Sequence, residues 1–151
     1  MNLKTKRTNF KNQDFINLVK ELDAFLSVKN GESDAFYSQF NGLEDLKHTI
    51  VLYLDGKAIG CGAIKQFDAF TVEVKRMYVH KNLQGKNLGL TILTALETWA
   101  KELGNTRCVL ETGTMLPEAI RFYEKNKYTR IPNYEPYVNA PESVCFEKNL
   151  V

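Results

Sequence analysis

The sequence predicts a mixed α/β fold (an α+β mixed sheet) in which an antiparallel N-terminal meander gives way to helical crossovers. Three observations carry this reading. Two apolar runs flank Asp55-Gly56, a two-residue hairpin signal. The alternation of apolar residues slips by one position within residues 70–79. Two apolar stripes of helical period then follow, separated by a short buried run.

Taken in order, residues 3–8 alternate weakly and predict an edge strand. Phe15, Leu18, Val19, Leu22 and Phe25 recur at three- and four-residue steps, the stripe of an amphipathic helix, with Asn12 or Asp14 as its N-cap. Gly31-Glu32-Ser33-Asp34 breaks that helix and caps a short second one bearing Phe36, Tyr37 and Phe40. Residues 50–54 and 57–64 predict the two strands of the hairpin. In the next strand Val72 and Val74 share one parity and Met77 and Val79 the other. One extra residue near Lys75-Arg76, a β-bulge, explains the slip by moving later side chains to the opposite face. A sheet covered on both faces, where parity carries little meaning, is the alternative.

A polar loop over residues 80–86 precedes a long stripe formed by Leu88, Ile92, Leu93, Leu96, Trp99, Ala100 and Leu103, which Gly104 ends. Cys108-Val109-Leu110 reads as a buried strand, and Pro117 suits the first turn of a helix that turns Ala119, Ile120 and Tyr123 inward. Residues 128–131 and 143–147 predict two closing strands joined by an aromatic, Pro-containing loop.

Composition narrows the function. The chain has 151 residues, 44% hydrophobic and 25% charged, the balance of a soluble globular protein, and residues 1–151 read as a single domain. Twenty basic and eighteen acidic side chains, interspersed, leave a formal charge of +2, which argues against a dedicated nucleic-acid binder. Cys61, Cys108 and Cys145 each lie in an apolar run and read as reduced core residues of a cytoplasmic protein. With two histidines and no CxxC or HxxxH spacing, no metal site is expected. The basic, polar N-terminus predicts no signal peptide, and no apolar stretch is long enough for a membrane span.

Gln84-Gly85-Lys86-Asn87-Leu88-Gly89 joins a strand to a long helix. There the first helical N–H groups lack internal partners and the dipole is positive, so the junction suits a pyrophosphate, with Lys81 and Lys86 adding charge. The same glycines also suit plain turn chemistry. A Walker A loop is excluded because His80 and Asn87 stand where it needs Gly and Ser or Thr. Neither spacing nor position fits a dinucleotide fingerprint.

A bulged strand, this loop, a long helix, a short strand and the run Ala119-Ile120-Arg121-Phe122-Tyr123-Glu124-Lys125-Asn126-Lys127-Tyr128 together resemble the GNAT family of acyl-CoA-dependent N-acetyltransferases. The resemblance runs from about residue 50 to 128. Three positions depart from the family pattern. Asn87 and Lys127 stand where glycine is usual, and Leu116 stands where Asn is common; Asn126 is expected to take over the helix-ending role from the missing glycine.

The resemblance implies a GNAT-like fold and acetyl-CoA as co-substrate, its phosphates held by residues 84–89 and its pantetheine chain by the backbone of Met77, Tyr78 and Val79. It also implies direct transfer of the acetyl group to a primary amine, on a small molecule or a protein. An amine attacks a thioester only when neutral, which calls for a base. Glu73 matches a glutamate that histone-acetyltransferase members carry on the fourth strand, and Glu111 is second. Tyr123 matches a tyrosine that hydrogen-bonds the CoA sulfur. Phe36, Tyr37, Phe40, Tyr134 and Tyr137 line the implied acceptor side. Arg76 reads either as a carboxylate contact or as a surface ion pair, and His80 as a surface residue. A non-catalytic acyl-CoA sensor or partner-binding module is the competing class, and a homodimer is left open.

Overall fold

The computed structural model describes residues 2–31 and 45–151. Phe36, Tyr37, Phe40 and the expected short helix that bears them lie outside the described residues. Seven strands and three α-helices are described: β1 (Leu3–Thr8), α1 (Gln13–Asn30), β2 (His48–Leu54), β3 (Lys57–Asp68), β4 (Thr71–Val79), α2 (Leu88–Glu102), β5 (Arg107–Gly113), α3 (Pro117–Lys125), β6 (Thr129–Ile131) and β7 (Ser143–Asn149). A 3₁₀ turn, Lys81–Leu83, lies in the loop before α2.

The strands form one sheet in the order β1-β2-β3-β4-β5-β7-β6, which puts β1 at an edge as its weak alternation predicts. Asp55 and Gly56 both take positive φ, 50° and 83°, and close the β2–β3 hairpin. Every pairing is antiparallel except β4 with β5, which is parallel over Thr71–Glu73 against residues 107–109. Sequence order does not reveal that β7 inserts between β5 and β6. The insertion follows from the crossover through α3, which leaves the edge of β5 free for the last strand.

Helices cover both faces. Phe15 and Leu18 of α1 pack with Val51, Cys61 and Ala63 on one face. On the other, Ile92, Leu93 and Leu96 of α2 meet Ile50, Leu52, Ile64, Val72 and Val74, joined by Tyr123 and Tyr128. Each such fully buried side chain contributes roughly 1.5–3 kcal/mol of transfer free energy. Close approach of α2 depends on Gly62 of β3: a Cβ there would stand 2.8 Å from both Leu96 Cδ1 and Met77 Sδ. Tyr128 donates to Glu97 Oε2 at 2.8 Å, and Lys148 holds the same carboxylate at 3.0 Å, fastening α2 to β7.

Caps explain the helix limits. Asn12 Oδ1 accepts from the Phe15 N–H at 3.0 Å, so Asn12 and not Asp14 caps α1; Asp14 instead accepts from Tyr53. Gly104, at φ +93°, ends α2. At the end of α3 Asn126 is the cap, as expected, but the left-handed turn falls on the next residue. Lys127 takes the left-handed turn itself, at φ +77°, while Asn126 stays at −99° and covers the Phe122 carbonyl with its side-chain amide at 2.8 Å. An amide side chain can satisfy an orphan carbonyl, but the chain reversal still needs one residue at positive φ.

Candidate active site

The bulge shapes the centre of the molecule. Cys61 pairs with Tyr78 and Ala63 with Lys75, so Gly62 alone faces Arg76 and Met77. Arg76 takes φ +58°. The extra residue turns Met77 and Val79 to the face already occupied by Val72 and Val74, and all four join the core under α2. The bulge therefore explains the parity slip; the sheet is also covered on both faces, but the slip does not come from that.

β4 and β5 part at the same level. Their pairing ends at Glu73 with Val109, and beyond it the free edge of β4 from residue 74 to 79 has no strand beside it among the described residues. A cleft of about 640 Å³ opens in the gap, lined by Met77, Tyr78, Val79, Gln84, Gly85, Asn87, Leu88 and Gly89, by Phe122 and Tyr123 of α3, and by Glu73 and Glu111. Free backbone groups along β4 and unpartnered N–H groups at the start of α2 suit an extended chain ending in phosphates.

Within the loop, Gly85 takes φ +85° with open space around its Cα, and Asn87 takes φ +61° directly before α2. The two left-handed residues turn the chain into α2, and Gly85, Asn87, Leu88 and Gly89 line the cleft. Gln84 is exposed, and its side chain donates from Nε2 to the Val79 carbonyl at 3.1 Å. Lys86 is exposed and lies outside the cleft lining, as does Lys81. Gly89 differs from its expected role: a Cβ there would touch the Phe122 ring at 3.4 Å, so its small size serves the packing of α2 against α3 as well as the cleft.

The carboxylates stand on the other face of the sheet. Glu73 Oε2 accepts from the Tyr134 hydroxyl at 2.8 Å, and Glu111 Oε2 accepts from Ser143 Oγ at 2.8 Å. Burial, reinforced by the negative charge of Glu73, pushes the Glu111 carboxyl up to about 7, against the Ser143 hydrogen bond and Lys75, which pull it down. Tyr123 lies on the face covered by α2 and lines the cleft from there. Its ring is 7% exposed and packs edge-on against Phe122 and Tyr128, and its hydroxyl has no hydrogen-bond partner among the described residues. Burial first, then Glu111, raises its pKa well above the usual phenol range, so it remains a proton donor at neutral pH.

The remaining candidates fall around this frame. Tyr137 lines the cleft, whereas Tyr134 does not and reaches Glu73 from outside it. Arg76 is an ion pair: NH1 lies 2.7 Å from Asp23 Oδ1 of α1, with the arginine side chain only 6% exposed. His80 Nε2 lies 3.3 Å from Glu21 Oε1, and Tyr78 donates to the same oxygen at 3.2 Å. The three cysteines are free and buried, and burial pushes the Cys61 and Cys108 thiols up to about 12 and Cys145 to about 11, which leaves them poor nucleophiles. Among the described residues no cluster of metal-ligating side chains occurs, and no helix is long and apolar enough to cross a membrane. Sequence reasoning missed Ser143 and Asp23, whose partners are 32 and 53 residues away and carry no local signal.

Comparison with known proteins agrees with this arrangement. A family model described as acetyltransferase (GNAT) family matches residues 16–128. The chain is 30% identical over 143 residues to an IAA acetyltransferase of Azospirillum brasilense, an overlap of 89% of this chain and 90% of that protein. A crystal structure from Klebsiella pneumoniae, assigned as an acyl-CoA N-acyltransferase, superposes with a TM-score of 0.83 at 28% identity, over 99% of this chain and 98% of that one. The PaiA N-acetyltransferase of Thermoplasma acidophilum, in complex with coenzyme A, shares the fold with a TM-score of 0.69 at 17% identity, over 99% of each chain. Because the family model spans well over half of the chain, this protein belongs to the GNAT acetyltransferase family.

Proposed function

We propose that the protein transfers an acetyl group from acetyl-CoA to a primary amine by direct attack, with both substrates bound at once. The observation that carries this reading is the parting of β4 and β5. It opens one passage with unpartnered backbone and a helix N-terminus at one end and the carboxylate of Glu73 at the other, with the hydroxyl of Tyr123 reaching in between. The co-substrate supplies an activated acyl carbon on a good leaving group. Residues 84–89 and the start of α2 hold its phosphates, and the free edge of β4 from Met77 to Val79 holds its extended arm.

The chain's own side chains handle protons. Glu73 takes the proton that the incoming ammonium must lose. Tyr123, held protonated by burial, donates to the departing sulfur. A path through a cysteine acyl carrier has no support, because all three thiols are buried with raised pKa values. Without its own proton acceptor and donor the cleft would serve only as an acyl-CoA sensor, so those two side chains separate the enzyme from that alternative.

Thiol release from acetyl-CoA, followed over a panel of aliphatic diamines, amino-acid amides and short peptides, tests the proposal. Glu73→Gln lowers kcat/KM by about a hundredfold near neutral pH, with partial recovery as rising pH deprotonates the amine. Tyr123→Phe lowers kcat by about one to three orders of magnitude with little change in acetyl-CoA affinity. Wild-type rates in both variants, or no turnover of any amine by wild type, would overturn it.

A further inference from the structure

The loop between β6 and β7 has more order than a connector needs. Asn133 brackets it from inside, its Nδ2 donating to the carbonyls of Tyr137 at 3.1 Å, Ala140 at 3.3 Å and Ser143 at 3.0 Å. The Tyr137 N–H returns to the Tyr134 carbonyl at 2.7 Å. Between these ties stands Tyr134, its ring edge-on to Phe67 of β3 at 5.0 Å and to Tyr137 at 6.0 Å. Its hydroxyl is spent on Glu73 Oε2, at 2.8 Å. Neither Tyr134 nor Phe67 lines the cleft, while Glu73 does.

We propose that Tyr134 is a positioning residue for acetyl transfer: braced by the Asn133 bracket and by Phe67, it holds one carboxylate oxygen of Glu73 from behind and leaves the other toward the cleft. The inference rests on the assignment of Glu73 as the base. A phenol that only fills space would do so with its ring; the hydroxyl adds a charge-assisted bond that exists in full only while Glu73 is ionised. Burial and the neighbouring Glu73 raise the Tyr134 pKa far above its usual range, so Tyr134 is a donor at every working pH.

Other groups bear on the same carboxylate. Lys65 lies directly across from it on β3, Lys75 follows on β4, Glu111 faces it from β5 and Cys145 from β7.

The test is a titration of the folded protein carrying ¹³C-carboxyl-labelled glutamate, in which the resonance missing from Glu73→Gln is that of Glu73. In Tyr134→Phe its midpoint moves up by about one pH unit, and the acid limb of kcat/KM for the fastest amine of the panel moves with it. In the Glu73→Gln background, Tyr134→Phe costs less than about twofold further. Should Tyr134→Phe not fold, Asn133→Ala, which keeps the hydroxyl but loosens its bracket, gives a smaller shift in the same direction. An unmoved midpoint, or a rate loss uniform across pH and additive to that of Glu73→Gln, overturns the inference and leaves the base assignment standing. Wild-type turnover by Glu73→Gln overturns the base assignment, and with it any positioning role for Tyr134.

Discussion

At the end of the cleft beside α2, the lining is mostly main chain and apolar side chain: the free edge of β4, Gly85, Asn87 at positive φ, Leu88 and Gly89. Around Glu73 and Glu111, polar side chains do the lining, each held by a partner from a distant segment, Tyr134 for one and Ser143 for the other. The shape of the first end is set by the torsions of a few adjacent residues. The second depends on contacts between groups 32 and 61 residues apart in the chain. Substitutions at the first end should therefore act locally through the backbone, and those at the second should act through charge and pH.

The sharpest test of that contrast is Glu111→Gln. Glu111 has a folded value of about 7 against an ordinary 4.5. Below the ordinary value the group is protonated in both states and costs nothing. As pH rises toward 7 the unfolded chain ionises first, so native stability falls, and above 7 the loss is complete. Replacing the carboxyl by an amide removes this dependence and keeps an acceptor for Ser143. Denaturant unfolding at pH 8 should show the variant more stable by about 2–3 kcal/mol, and at pH 4 the two proteins should agree. Equal differences at both pH values would mean that packing, not charge, governs this end.

Gly85→Val probes the other end and should have a smaller effect. No neighbour lies within 4 Å of a Cβ placed there, so the main cost comes from holding an L-residue at φ +85°. That strain is about 1–2 kcal/mol. Relaxing it means moving the loop, so calorimetric affinity for coenzyme A should fall by about tenfold while the melting temperature shifts little. Full affinity in a folded variant would remove the loop from cofactor binding and leave only its turn chemistry.

The smallest effect lies outside the cleft and serves as the control. Lys127→Gly relieves the left-handed residue that ends α3 and should raise stability by about 0.5–1 kcal/mol, without pH dependence and without change in coenzyme A affinity. A change in affinity would show that the end of α3 and the cleft are coupled through Tyr123.

The sequence by itself determined most of the described elements and the loop at the α2 end of the cleft. The hairpin, the slip in alternation, an N-cap at Asn12 or Asp14 and the strand–loop–helix junction each rest on residues within about ten positions of one another, where period, turn chemistry and backbone preference act without the rest of the fold. The slip between Val74 and Met77 was legible because a strand has a period of two, and an odd spacing between residues on one face requires an extra residue. Only the tertiary structure decided that β7 enters between β5 and β6, that Arg76 is held by Asp23, that Lys127 and not Asn126 turns at the end of α3, and that Glu73 and Glu111 share one face with Tyr134 and Ser143. A carboxylate on a strand looks the same in sequence whether it meets water or a hydroxyl. What sets its behaviour is the burial and the charges that packing brings near it, and those arise between segments that no local pattern connects.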